Sequence, residues 1–116
     1  MSNHQILNPV AHADLRIHVG PGAALGDKVM ACLAVPVEFR RLANDYPILF
    51  RYDPQQRSFS ALALMGFEQG ENLFLDGNIW RAATKPMALA IQPFLVGRSR
   101  DADAPAQVHI DLDHPR

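Results

Sequence analysis

Three residues near the carboxyl end of the chain have the types and spacing of a metal site. His109, Asp111 and Asp113 are two residues apart, so their side chains would share one face of a β-strand. An imidazole and two carboxylates can together bind a divalent metal ion. The alternative is a solvated polar face at the end of a strand, the commoner role of such residues. We favour this alternative and predict neither a metal site nor a cofactor.

A second cluster of carboxylates has the residue types of acid–base chemistry. Glu68, Glu71 and Asp76 lie close together in a segment that also contains glycines. Paired carboxylates act as acid and base when burial separates their pKa values. The neighbouring residues are mostly polar, which favours a solvated loop. Glu71 and Asn72 would then cap the turn, with the Asn72 amide bonded to backbone groups.

A third charged group lies on a predicted helix. Glu38, Arg41 and Asp45 are three and four residues apart, the spacing of ion pairs on a helix surface. We interpret these residues as a surface ladder with a structural role. Arg40 and Arg41 could instead contact an acidic partner, and they are our candidate partner-binding residues on this helix.

No nucleophile has the surroundings that catalysis requires. Cys32 lies in an apolar run, where a buried and unreactive thiol is expected. Ser58 and Ser60 lack the glycine-flanked context of a hydrolase serine. The glycine-rich segment 20–26 lacks the lysine and hydroxyl of a phosphate-binding loop, and Pro21 has no N–H for a phosphate. We therefore predict no catalytic residues and expect a protein that is not an enzyme.

Apolar patterns interrupted by glycine and proline predict many short strands and two helices. The predicted strands are Asp14–Val19, Lys28–Val35, Ile48–Tyr52, Ser58–Gly66, Leu73–Leu75, Asn78–Trp80, Phe94–Val96 and Gln107–Leu112. The predicted helices are Pro36–Tyr46 and Pro86–Gln92, and each is followed by a proline that ends it. Arg98–Pro105 is a predicted charged loop.

These elements indicate an α+β fold with a mainly antiparallel sheet of short strands and hairpins and two short helices. Lys28–Val35 shows little alternation, so we expect it to be covered on both faces. Asp76-Gly77 is typical of a two-residue hairpin turn with positive φ at both positions. Residues 1–13 are a predicted amino-terminal arm, and residues 14–116 are a predicted single domain.

Composition limits the classes of function. The chain has 116 residues, of which 48% are apolar and 20% charged, as in one globular domain. A net charge of -1 lacks the basic excess of proteins that bind nucleic acid or anionic membranes. Residues 1–30 contain no apolar block of signal-peptide length, and no run is long enough for membrane insertion. A cytoplasmic location is therefore expected.

Several short motifs, taken in order, make the chain similar to a known family. They are Glu38-Phe39, Tyr46-Pro47-Ile48 with Phe50, Gly66, Asn72-Leu73-Phe74, Trp80 and Pro93-Phe94. Their order resembles that of the SapC family of bacterial proteins, named for a surface-layer-associated protein. The resemblance covers roughly residues 6 to 113 and implies a fold, with no set of catalytic residues attached.

The chain departs from the family between Thr84 and Phe94. The resemblance implies tyrosines at the positions of Thr84 and Gln92, and arginines at those of Ala90 and Ile91. A polar site formed by such side chains would be lost here. Family members are also longer, so this chain is expected to be a compact variant or a truncation. Its exposed apolar surface would then be covered in a homodimer, with Ile91 in our candidate interface, Met87–Phe94.

Taken together, we expect a non-catalytic binding or accessory protein that acts through protein–protein interaction. The alternative implied by the resemblance is an accessory partner of a cupin-type oxygenase or flavin halogenase system, which would bind a small molecule or peptide. Phe74, Phe94 and Trp80 are predicted core residues. Trp80 also tolerates partial exposure and its N–H needs a partner, so Trp80, Asn72 and Phe74 are our candidate ligand-binding residues. The expected partner is a second copy or another protein, not nucleic acid.

Overall fold

The computed structural model describes residues 2–98 and 103–116, which fold as two compact units. One unit contains the described residues of 1–19 and 91–116, and the other contains residues 20–90. All strand pairs within the described residues are antiparallel and the helices are short. The predicted α+β fold class is therefore confirmed. Residues 99–102 of the predicted loop Arg98–Pro105 lie outside the described residues.

The elements follow one another in the order β1, β2, α1, β3, β4, β5, β6, α2, β7 and β8. The strands are β1 (His4–Ile6), β2 (Ala31–Leu33), β3 (Ile48–Asp53), β4 (Ser58–Leu64), β5 (Leu75–Asp76), β6 (Ile79–Trp80), β7 (Phe94–Gly97) and β8 (Gln107–Asp111). The α-helices are α1 (Phe39–Leu42) and α2 (Met87–Ala90).

The main sheet of the 20–90 unit has the order β2–β4–β3. The β3–β4 hairpin is paired from Ile48 opposite Ala63 to Asp53 opposite Ser58. The Asp53 side chain closes its loop, because Oδ1 accepts the N–H groups of Gln55 at 2.9 Å and Gln56 at 3.2 Å. This local bonding is the aspartate turn chemistry expected of such a sequence, and the predicted hairpin is confirmed.

The predicted first helix is present in a shorter form. Pro36–Glu38 is a 3₁₀ turn that leads into α1, and the Tyr46 N–H donates to Leu42 O at 2.8 Å. Pro36 suits the first turn, where its missing N–H has no helical partner to lose. Pro47 ends the segment, because the residue before a proline disfavours helical geometry.

The core of this unit lies between α1, α2 and one face of the sheet. Its buried members are Ala34, Leu42, Tyr46, Ala63, Met65 and Leu89. Leu42 is fully buried, which contributes about 1.5–3 kcal/mol relative to an exposed leucine. The Tyr46 ring lies 4.6 Å from that of Phe74, in a tilted arrangement. The first helical segment thus contributes Leu42 and Tyr46 to the core.

The β5–β6 hairpin is confirmed, but its turn is displaced by one residue. Asp76 pairs with Ile79, so the turn residues are Gly77 and Asn78. Gly77 has φ of 59°, whereas Asn78 is not among the residues with positive φ. The predicted positive φ at Gly77 is confirmed, whereas the prediction of Asp76-Gly77 as the turn pair, with positive φ at both positions, is wrong. One positive φ at the first turn position corresponds to a type II′ turn.

The other unit has a three-stranded sheet in the order β1–β8–β7. His4 lies opposite Asp111, and Phe94 lies opposite Ile110, the buried residue of the central strand. The strands predicted at residues 94–96 and 107–112 are confirmed with small changes of boundary. Strand β1 lies within the stretch predicted as an arm and pairs with β8.

The prediction of a strand at Asp14–Val19 is wrong, because no strand forms between residues 14 and 19. The segment has local bonds and one long-range bond, in which the Arg116 guanidinium donates to His18 O at 3.1 Å. The Leu15 N–H donates to His12 O at 3.2 Å, and the Arg16 guanidinium donates to Leu15 O at 2.9 Å. Alternation of apolar residues fits any extended segment, whereas a strand also requires a neighbouring chain.

The prediction that Lys28–Val35 is covered on both faces is also wrong. Only Ala31–Leu33 forms a strand, and β2 is an edge of its sheet. Leu33 and Val35 are exposed, while Cys32 packs against the core. An apolar run can therefore have one open face.

Candidate functional site: a groove on the outer face of the main sheet

The face of the main sheet that points away from the core carries three leucines side by side. Leu62 on β4 lies opposite Leu33 on β2 and opposite Leu49 on β3, so the three form a row across the sheet. Leu33 is 54% exposed and Leu49 is 51% exposed. Ala63, the neighbour of Leu62, points to the core and is fully buried, as the alternation of side chains requires. We call Leu33, Leu62 and Leu49 the leucine row.

A groove of about 590 Å³ lies beside the leucine row. It is lined by the run Lys28–Leu33, by Arg51 and Leu62, and by Gln69 and Gly70. Leu33, Leu62 and Arg51 all lie on the outer face, because their register positions share the same side of the sheet. We call this feature the outer groove.

The charged side chains that line the outer groove are all cationic. Lys28 and Arg51 are exposed, and no carboxylate is among the lining residues. Asp53 lies two residues beyond Arg51 on the same strand face, but its carboxylate accepts the backbone N–H groups of Gln55 and Gln56. The groove therefore combines an apolar floor with positive charge.

A second cavity, of about 360 Å³, lies beside the β5–β6 hairpin. We call it the hairpin cavity. Lys28 and Gly70 line both this cavity and the outer groove. The remaining lining residues are Ala23, Glu71, Asn72, Leu75 and Gly77.

Asn72 and Glu71 have the capping contacts that the sequence predicts. Asn72 Nδ2 donates to Asp27 O at 2.8 Å, and Asn72 Oδ1 accepts the Phe74 N–H at 3.0 Å. Glu71 Oε2 accepts the Phe67 N–H at 2.7 Å. These bonds hold the loop that carries Gly70, the glycine shared by the outer groove and the hairpin cavity.

The other two predicted ligand-binding residues meet at Tyr46. Trp80 Nε1 donates to Tyr46 Oη at 2.8 Å, and the Tyr46 hydroxyl donates to Thr84 O at 2.6 Å. Phe74 packs on the Tyr46 ring. Burial raises the pKa of Tyr46 to about 12, which keeps its hydroxyl protonated as this donor requires. Trp80 and Phe74 line neither cavity, so their role in ligand binding stays a prediction.

A buried ion pair lies next to the hairpin cavity, and the sequence patterns did not predict it. Lys85 Nζ is 2.8 Å from Asp27 Oδ1, and the Asp27 side chain is fully buried. Asp27 Oδ2 also accepts the Gly22 N–H at 2.9 Å. Lys85 Nζ lies 5.2 Å from the centre of the Trp80 ring, within range of a cation–π contact. No local spacing links residues 27 and 85, so only the fold reveals the pair.

The predicted surface ladder of Glu38, Arg41 and Asp45 is wrong, because Glu38 is 1% exposed. Its carboxylate joins two backbone segments. Oε1 accepts the Val35 N–H at 3.2 Å, and Oε2 accepts the Met87 N–H at 2.9 Å. Glu38 therefore ties α2 to the end of β2.

Cys32 has the character of the unreactive thiol that its apolar run predicts. Burial, and secondly the negative charge of Glu38, raise the pKa of Cys32 to about 12. The thiol is thus protonated at neutral pH and is a poor nucleophile. It contributes to the wall of the outer groove through its position on β2.

The histidine and aspartates of the first predicted cluster lie in the other unit, on or just after β8. Asp111 Oδ1 accepts the N–H groups of Asn3 at 2.8 Å and Asp113 at 3.1 Å. These bonds lower the pKa of Asp111, and the bond from Asn3 has the largest effect. The His109 ring covers Gly97 on the neighbouring strand, where any Cβ would overlap with it. Within residues 2–98 and 103–116, no three metal-binding side chains come together.

The remaining candidate residues lie at the surface. Asp76 forms an ion pair with Arg81, and both side chains are more than half exposed. Glu68 is exposed as well, in keeping with a solvated loop. The exposed candidates for partner binding are Arg40, Arg41 and Ile91.

The fold, with its short antiparallel strands and few helices, is that of a small α+β protein. A sequence profile of the SapC family matches residues 7–116, nearly the whole chain, and the chain belongs to this family. No curated protein and no solved structure is similar enough to be matched to it. The resemblance drawn from Glu38-Phe39, Tyr46-Pro47-Ile48 and Asn72-Leu73-Phe74 is thereby confirmed.

Among the described residues, no helix has the length and apolar character needed to cross a membrane. The longest α-helices of this part of the chain have four residues.

Proposed function

We propose that this chain is a non-catalytic binding protein that acts through contact with another protein at the outer groove. The observation that supports this proposal best is the leucine row. Leu33 and Leu49 are half exposed on a sheet face where a soluble protein usually places polar side chains. Contiguous apolar surface bordered by charged residues is typical of an interaction site.

The buried polar groups of the same unit support binding over catalysis. The carboxylates of Asp27 and Glu38 are bonded to Lys85 and to backbone N–H groups. The Asn72 amide is bonded to the backbone on both sides. A general base or acid needs an accessible site and a partner in the substrate, whereas these groups have internal partners.

The hairpin cavity favours a second candidate function, as an accessory protein that binds a small molecule or peptide. Its volume of about 360 Å³ lies within the range of small-ligand sites. Lys28 and Glu71 would supply opposite charges at its wall. In this arrangement the chain would assist an oxygenase or halogenase, as the family resemblance implies.

Self-association is a further part of the proposal. Met87 and Ile91 are each partly exposed apolar residues, and Ile91 replaces an arginine that the family resemblance implies. Apolar side chains at such positions are stabilised when a second copy covers them. We therefore propose a homodimer in which Ile91 is at the interface.

Affinity capture with matched variants tests the binding function. Wild-type protein, Leu33→Glu and Val37→Glu are immobilised and exposed to an extract of cells that naturally express the chain. Val37 is 82% exposed and lies outside the leucine row, so its variant is a control for added negative charge. We expect a partner that is retained by wild type and Val37→Glu and lost by Leu33→Glu.

The captured protein is then purified and mixed with the chain, and the molar mass of the complex is measured by light scattering. A stoichiometric complex that Leu33→Glu does not form is the expected result. Equal retention by all three proteins would exclude the outer groove as the binding surface. The absence of any stoichiometric complex would contradict the proposed function itself.

A further inference from the structure

We propose that the outer groove binds an extended, acidic segment of a partner protein, which places apolar side chains on the leucine row and carboxylates beside Lys28 and Arg51. This inference rests on the proposed binding function and specifies the chemistry of the partner.

The course of the groove fits an extended chain. Six consecutive residues, Lys28–Leu33, line one side of it, so the groove follows the backbone that enters and forms β2. Six extended residues span at most about 20 Å, which is the length of a peptide of similar size in the same conformation. A small ligand would not contact the whole of such a run.

The floor of the groove is suited to the alternating side chains of an extended segment. Ala31, Leu33 and Leu62 present apolar side chains on the outer face. In an extended peptide every second side chain points to one side, so apolar residues at alternate positions would contact this floor. Their burial would provide the main part of the affinity, as in other peptide-binding grooves.

The two cations lie toward opposite ends of the groove. Lys28 precedes β2 by three residues. Arg51 lies opposite Ser60 on β4. Ser60 is two residues from Leu62, in the direction that leads away from the start of β2. The ion pairs of the described residues include neither cation. Positive ends without lining carboxylates favour a segment with acidic residues on both sides of an apolar centre.

A second copy of the chain is a poorer occupant of the same groove. Face-to-face packing of two identical grooves would bring two copies of Lys28 and Arg51 together over an apolar floor. Like charges at an interface oppose association. An anionic lipid surface would engage the cations but would leave the alternating floor without a matching ligand.

Selection from a random peptide library tests the chemistry of the segment directly. Dodecapeptides displayed on phage are selected on wild-type protein and on Arg51→Glu. We expect wild type to enrich peptides with Asp or Glu on both sides of alternating apolar residues. The affinity of the most enriched peptide, made synthetically with a fluorescent label, is then measured by anisotropy.

Matched variants locate the binding site. We expect Arg51→Glu and Lys28→Glu each to weaken the peptide by about tenfold or more, since each reverses one charge pair. Replacement of the peptide's own Glu residues with Gln should weaken binding similarly and leaves the protein unchanged. Arg98→Glu changes the charge by the same amount at an exposed residue of the other unit and should have no effect. Added salt should weaken the complex.

Three results would overturn the inference. They are selected peptides without acidic excess, equal affinity for wild type and Arg51→Glu, and loss of binding in Arg98→Glu. If the captured natural partner still binds wild type and fails with Leu33→Glu, the proposed function stands and only the acidic segment is wrong. If neither a partner nor any peptide binds, both proposals fail.

Discussion

The ammonium group of Lys85 lies 2.8 Å from the carboxylate of Asp27, which has no exposed surface. Asp27 also accepts the Gly22 N–H through its side chain and the Asn72 amide through its carbonyl oxygen. One residue therefore joins three segments of the unit. The next residue in the chain is Lys28, which lines both the outer groove and the hairpin cavity. The buried pair thus fixes the backbone from which the groove cation extends.

Replacement of Lys85 by methionine should strongly destabilise the protein. The variant leaves the Asp27 carboxylate buried without its counter-charge, and loss of one partner of a buried pair typically costs about 3–5 kcal/mol. Urea unfolding followed by circular dichroism measures the change in the free energy of unfolding. The double variant Asp27→Asn with Lys85→Met removes both charges and should be more stable than the single variant.

The exposed pair Asp76–Arg81 provides the control for this experiment. Both side chains are more than half exposed, so solvent screens their attraction. Arg81→Met should change the free energy of unfolding by no more than about 1 kcal/mol. Equal effects of Lys85→Met and Arg81→Met would contradict the structural role assigned to the buried pair.

Gly77→Ala should destabilise the β5–β6 hairpin by about 1 kcal/mol, because alanine resists positive φ. Gly77 has φ of 59°, and no atom lies within 4 Å of the position that an alanine Cβ would take, so the cost is conformational and not steric. Gly20→Ala is the control, since Gly20 also has open space and lacks a positive φ. A shift in the urea midpoint for Gly77→Ala alone is the expected outcome.

Local patterns predicted the elements whose bonds are local. The β3–β4 hairpin is closed by Asp53 within its own loop, and the first helix is bounded by Pro36 and Pro47. In each case the residues that decide the structure lie within a few positions of one another, so a short window of sequence contains the cause.

Long-range contacts decided the features that the sequence did not predict. Glu38 has the position of a surface helix residue, yet it is buried because Val35 and Met87 both donate to it. The pair of Asp27 and Lys85 spans most of the unit in the same way. The outer groove depends on register, since only the pairing of Leu33 with Leu62 shows that the leucines share a face. No single segment carries that information.

The raised pKa of Cys32 predicts a loss of stability at high pH. The folded protein keeps the Cys32 proton above pH 9.0, where the unfolded chain releases it. This contribution to stability is complete below pH 9.0 and decreases as the pH rises toward about 12. Cys32→Ser, measured by urea unfolding between pH 8 and 10.5, should show a smaller decrease than wild type.

Alkylation of the thiol checks the same shift independently of stability. Burial raises the pKa of Cys32 from 9.0 to about 12, so the thiolate is scarce at pH 8. We expect iodoacetamide to react about 100-fold more slowly with the folded protein than with the guanidine-unfolded chain, measured by mass spectrometry. Fast reaction in the native state would show that the thiol is accessible and ionised.

Zinc should not bind tightly at the carboxyl-terminal cluster. Asp111 Oδ1 is bonded to the N–H groups of Asn3 and Asp113, and a metal would have to displace them. His109 covers Gly97 instead of turning toward these aspartates. Calorimetric titration with zinc should give no saturable heat in the low micromolar range. A one-to-one isotherm that disappears in His109→Ala would restore the metal site.

Self-association through Ile91 is the prediction that bears most directly on the assembled state. The family resemblance implies an arginine at this position, and an exposed isoleucine there is better accommodated under a second copy. We expect a homodimer at tens of micromolar that buries on the order of 1,000 Å² or more in total. Light scattering after size-exclusion chromatography measures the mass. Ile91→Glu should yield a folded monomer, as shown by an unchanged circular dichroism spectrum. Leu33→Glu should remain dimeric, because we propose that the outer groove binds another partner. A monomeric wild type at these concentrations would refute the dimer, and a monomer produced by Leu33→Glu but not by Ile91→Glu would place the dimer on the leucine row.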